Sequence, residues 1–64
     1  MHGIRMHYRL KNQVLPLLAG KIDRWQWVSE TYGILWCTTI GDANSALSEA
    51  QRSWDSKSLE PYMV

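Results

Sequence analysis

The sequence predicts an α+β fold, a three- or four-stranded antiparallel sheet with one C-terminal helix packed on one face. Three observations carry this. Residues 4–10 alternate apolar Ile4, Met6, Tyr8 and Leu10 with basic Arg5, His7 and Arg9, the period of two that a strand imposes. The segments Trp25-Gln26-Trp27-Val28 and Ile34 to Ile40 flank Tyr32-Gly33, as the two arms of a hairpin flank their turn. From about Asp42 the apolar spacing changes to that of a helix.

In chain order, residues 4–10 read as a strand with one apolar and one basic face, and Lys11-Asn12-Gln13 as a turn or short loop. Val14 to Ile22 admits two readings. As a strand it contains Pro16, which has no ladder donor and belongs on an edge. As a helix it places Val14, Leu17, Leu18 and Ile22 on one face. Gly20 weakens both, and the edge strand is the preferred reading. In the next strand Trp25 and Trp27 share a face, opposite Arg24, Gln26 and Val28. The return strand, Ile34 to Ile40, is apolar on both sides near its start, as in a central strand. Asp42 or Asn44 can cap the following helix by accepting from a free first-turn amide. Its buried side is Ala43, Leu47, Ala50 and Trp54, opposite Glu49, Arg52 and Asp55. Burying Trp54 removes roughly 150–250 Å² from water, a gross gain of several kcal/mol that docks the helix. Glu60-Pro61 stops it, and Tyr62-Met63-Val64 forms a short apolar tail.

A chain of 64 residues is one domain, residues 1–64, and folding at this size buries only about 60% of the unfolded surface. Cys37 is the single cysteine, so neither an intramolecular disulfide nor a multi-cysteine zinc site can reinforce the core. Hydrophobic content of 45% against 20% charged residues nevertheless fits a folded domain. The layout of a signal peptide is not seen near Met1, no apolar run approaches the ~18 residues of a membrane span, and a free thiol suits a reducing compartment, so a cytoplasmic location is expected. The net charge of +1 divides unevenly. Residues 1–30 hold Arg5, Arg9, Lys11, Lys21 and Arg24 against Asp23 and Glu30, while residues 31–64 hold Arg52 and Lys57 against Asp42, Glu49, Asp55 and Glu60. That asymmetry is mild beside the several phosphates a dedicated nucleic-acid binder neutralises.

One helix covers one sheet face, yet the strand from Ile34 offers apolar side chains to both. The second face needs a cover. Four remain open: the C-terminal tail, Val14 to Ile22 as a helix, a second copy of the chain, or a different protein. Tryptophan, tyrosine and arginine dominate decisive interface positions, and four tryptophans with three tyrosines and no phenylalanine suit such a surface. Arg24, Trp25, Trp27 and Tyr32 are therefore the candidate partner contacts. The competing reading puts Trp36 and Trp54, with Trp25 or Trp27, in the core. Aromatics on a sheet can also stack bases, with Arg5, Arg9 and Arg24 following the backbone, but the signatures of sheet-based RNA readers are missing.

No catalytic constellation emerges. His2, His7 and Cys37 lack the spacing of a zinc site, and Cys37 reads as a small buried hydrophobe, with no orienting third group for nucleophilic work. No phosphate loop or paired carboxylates occur, so neither enzyme chemistry, metal nor cofactor is expected.

The span from Trp25 to Trp54, with its aromatic strand, turn, apolar strand and capped helix DANSALSEAQRSW, resembles the hairpin-plus-helix layout of small bacteriophage accessory proteins, among them inhibitors of host RNA polymerase and anti-CRISPR proteins. It also looks like the helix-backed sheets of HicB-type antitoxins and of the arm-binding domains of phage integrases. The resemblance covers about half the chain, and residues 1–24 match none of these layouts. It implies a non-enzymatic inhibitor or adaptor that occupies a surface of a larger host or defence complex. A nucleic-acid module using Arg5, Arg9 and Arg24 is the second expectation and a structural homodimer the third.

Overall fold

The computed structural model describes residues 1–18 and 22–64. The elements follow in the order β1 (His2–His7), α1 (Tyr8–Leu18), β2 (Ile22–Trp27), β3 (Tyr32–Cys37), α2 (Ile40–Ser53) and β4 (Tyr62–Met63). All pairings in the four-stranded sheet are antiparallel, in the order β2-β3-β1-β4. β1 and β2 both run against β3, so α1 connects two parallel strands with a third between them. α2 does the same from β3 to β4 around β1. Two interlocked split β-α-β units of this kind are the ferredoxin-like arrangement.

The α+β class and the antiparallel sheet agree with the sequence reading, but the described residues hold two helices, and neither is C-terminal. The strand expected over residues 4–10 ends at His7, and the expected turn at Lys11 to Gln13 lies inside α1. His7 marks the change, since its Nδ1 accepts from the Arg9 amide at 3.1 Å and so satisfies a first-turn donor of α1. Leu10, Val14 and Leu18 form the buried stripe at helical spacing. Val14 to Leu18 is thus helix rather than edge strand, Ile22 opens β2, and Ala19 to Lys21 lie outside the described residues. Pro16 is tolerated because the helical bond it forfeits belongs to the Asn12 carbonyl, and both residues are exposed where water can replace it.

The hairpin exists, with its turn earlier than expected. Tyr32 and Gly33 already belong to β3, and the Val28 and Ser29 amides both donate to the Tyr32 carbonyl at 3.1 Å to close the turn. β3 ends at Cys37, not Ile40. Thr39, in extended conformation at φ −117° and ψ 158°, caps α2 by accepting from the Asp42 amide at 3.1 Å, so neither Asp42 nor Asn44 is the cap. Asp42 sits in the first turn, where a carboxylate complements the positive end of the helix. α2 ends at Ser53, well before Pro61. Trp54 is half-buried beside the core, its indole N–H bonded to the Ser58 carbonyl at 3.0 Å. The supposed tail is edge strand β4, with Tyr62 beside Arg5 and Met63 beside Ile4.

The core lies wholly between the sheet and the two helices. Ile4 and Met6 of β1, Leu35 and Cys37 of β3, the α1 stripe, and Ala43, Ala46 and Ala50 of α2 form one buried cluster. The three alanines present no long side chains, which lets α2 lie close to β1. Gly33 belongs to the same fit. A methyl group there would overlap the Gln26 carbonyl oxygen and approach Trp25 Cζ2 at 2.7 Å.

Candidate docking face

Because side chains alternate along a strand, placing Ile4, Met6, Leu35 and Cys37 under the helices turns Gly3, Arg5, Ile34 and Trp36 to the opposite face. Register adds Arg24, Gln26, Tyr32 and Tyr62 to it. Neither internal cover foreseen from the sequence is there: Val14 to Leu18 lies in α1 on the core side, and Tyr62-Met63 extends the sheet edge. Among the described residues, no segment lies across this face.

Its surface is aromatic and cationic. The Trp36 indole donates to Gln26 Oε1 at 2.8 Å across β2, while its six-membered ring reaches the other way over Gly3, where a Cβ would stand 2.9 Å from Cζ3 and 2.5 Å from Ile34 Cγ2. Glycine at position 3 therefore lets the indole lie flat on the sheet. The Arg24 guanidinium stands 5.8 Å from the Trp36 ring centroid. On the far side the Arg5 guanidinium stacks 3.9 Å from the Tyr62 ring centroid and donates to the Glu60 carbonyl at 3.3 Å. Arg5 Nε is buried with no acceptor among the described residues. Tyr62 remains 45% exposed.

The four predicted partner contacts separate. Arg24 and Tyr32 belong to the open face. Trp25 and Trp27 pair with Leu35 and Gly33 and lie on the helix side, at the outer edge of the sheet. Trp25 packs on the core, half-buried, and Trp27 is 55% exposed. Of the alternative nucleic-acid set, Arg5 and Arg24 share the open face, whereas Arg9 projects from α1 beside Tyr8. Trp36 and Tyr62 were not among the predicted contacts. The signal for Trp36 was present, because the apolar character of both sides of its strand meant one side would be left over.

Other chemistry is sparse among the described residues. Cys37 is fully buried, and burial first, then the Asp42 charge, pushes its thiol up from the ordinary value, away from the reactive thiolate at neutral pH. It pairs in register with His2, while His7 stands at the other end of β1 opposite Tyr32. No three His, Cys, Asp or Glu side chains gather as metal ligands. A cleft of about 530 Å³ lies between the start of α1 and the segment after α2, lined by groups such as His7, Arg9, Asp55 and Lys57. Two of these are already engaged, Asp55 Oδ1 accepting from the Lys57 amide at 3.0 Å and His7 from Arg9. Among the described residues, no helix is long and apolar enough to cross a membrane. Comparison with protein families, curated proteins and solved structures yields no match to this chain.

Proposed function

We propose that this chain is a non-enzymatic protein-binding inhibitor or adaptor, encoded by a phage or other mobile element, that lays its open sheet face on a larger host or defence complex of the CRISPR type and blocks it by occupancy. The observation behind this reading is the bare face itself, where Trp36, Tyr32, Tyr62, Arg5 and Arg24 stand together with no cover from the described chain. These residue types supply most of the decisive positions in protein interfaces, since each combines large apolar area with a polar or charged end. Arg5 and Arg24 give the face a positive character, so the complementary surface is acidic. Extents of 28 × 22 Å limit the face to about 600 Å², below the ~800 Å² a partner contributes to a standard interface, so the partner must use nearly all of it. The resemblance of the hairpin-plus-helix span to phage accessory proteins points the same way.

A second reading rests on one feature. Trp36 lies flat over Gly3 with Arg24 beside it, the arrangement on which an unpaired base can stack while a cation meets its phosphate. The net charge of +1 weighs against it.

Capture from host lysate with the wild-type chain and with an Arg5→Glu/Arg24→Glu variant tests the proposal. The wild type is expected to retain one acidic protein complex that the folded variant releases. Binding should decline with salt less steeply than that of a nucleic acid, because only the Arg5 and Arg24 contacts are screened and the apolar contact is not. A single-stranded oligonucleotide held with a steep salt dependence would instead select the second reading, and an undiminished partner on the reversed variant would contradict the proposal.

A further inference from the structure

Among the described residues, cations lean on aromatic faces more than on carboxylates. Arg5 lies over Tyr62, Arg24 over Trp36, Arg9 over Tyr8, and Lys11 over two tryptophans at once, whereas the ion pair found, Arg52 with Glu49 at 3.6 Å, is on the α2 surface. The Lys11 site is built differently from the others. Trp25 and Trp27, two apart on β2, set their ring planes at 89° with centroids 5.5 Å apart, forming two walls of a corner. Tyr8 stands beside them, 6.2 Å from Trp27 and tilted by 43°. The Lys11 ammonium enters from α1 to 5.0 Å from the Trp25 centroid and 5.6 Å from that of Trp27. Tyr8 is shared with His7, stacked at 4.6 Å, and with Arg9, so the two indoles supply most of the attraction.

The geometry points to a binding site for a quaternary alkylammonium group in the Trp25–Trp27 corner, which Lys11 occupies within the chain and which an external ligand takes by displacing it. Ring faces attract positive charge but accept hydrogen bonds poorly, so the three N–H donors of Lys11 gain little there for the water they lose. A methylated ammonium has no N–H to satisfy and meets the indoles with apolar methyl groups, which is why aromatic corners favour it. Room for the carrier lies alongside, in a shallow depression lined by Trp27, Val28, Ser29 and Glu30, whose one charged group is the Glu30 carboxylate. This site is on the helix side of the sheet and stands apart from the open-face proposal.

Lys11 acts as a competitor at high local concentration, and a site open only a minor fraction of the time has its apparent affinity reduced by that fraction. Tetramethylammonium chloride, titrated against sodium chloride and followed through the indole N–H resonances, provides the test. Lys11→Ala is expected to bind roughly tenfold more tightly than wild type, with shifts at Trp25 and Trp27 and little change at Trp36 and Trp54. Adding Trp27→Leu, which keeps apolar bulk but removes a ring face from a largely exposed position, should abolish the shifts. Choline and Nε-trimethyllysine, run in parallel, distinguish a headgroup from a side chain as the carrier. Affinity unchanged by Lys11→Ala, or equal shifts in the Trp27→Leu double variant, would overturn the assignment.

Discussion

Gly33→Ala is expected to cost about 3 kcal/mol or more, at or beyond the upper end of the usual overpacking range. The added methyl group meets the Gln26 carbonyl oxygen, a backbone atom fixed by the β2–β3 ladder, so no rotamer change can relieve it. On its other side is the Trp25 ring, whose retreat would open the contact with the core. A domain of this size has roughly 3–10 kcal/mol in total, so the variant should be mostly unfolded or lose at least about 12 °C in Tm by circular dichroism. Gly41→Ala is the matched control. It lies in the first turn of α2 with its nearest neighbour 3.9 Å from the new carbon, and alanine there should raise stability by up to about 1 kcal/mol. A Gly33→Ala protein melting within a few degrees of wild type would show that the hairpin is less tightly closed than described.

Trp36→Ala is expected to weaken binding to the captured partner at least about 30-fold, the equivalent of the ~2 kcal/mol that marks a decisive interface residue. The side chain is half-buried on the open face, and its bond to Gln26 is exposed, so its removal leaves no polar group stranded in the core. The melting curve should move far less than for Gly33→Ala. Arg24→Glu, at an exposed position beside the same ring, should reduce affinity without altering the fold. Isothermal titration of both variants against the purified partner measures the effect, and full affinity in both would remove the open face from the interaction.

The sequence spoke clearly where a pattern was local. Alternation placed Trp25 and Trp27 opposite Arg24 and Gln26, and helical spacing found Ala43 and Ala50 on the buried side of α2. Helix α1 was hidden because Tyr8-Arg9-Leu10 continues the alternation of β1, so the period of two outlasts the strand, while Pro16 speaks against a helix that water can in fact accommodate. Missing α1 also left unsettled which side of β2 is covered, and so grouped Trp25 and Trp27 with Arg24 and Tyr32 on a single contact surface. β4 is too short to show a period. The Trp36–Arg24 pairing depends on register across a bulge between Ile22 and Arg24, which tertiary contacts set and no local pattern encodes.

Hydroxyl-radical footprinting of the chain, alone and bound to its captured partner, tests most directly whether the uncovered face is the docking surface. Trp36, Tyr32 and Tyr62 should react in the free chain and become protected in the complex, while Trp27 reacts equally in both. Protection confined to Trp27 and the helices, or a Trp36 already unreactive in the free chain, would contradict it.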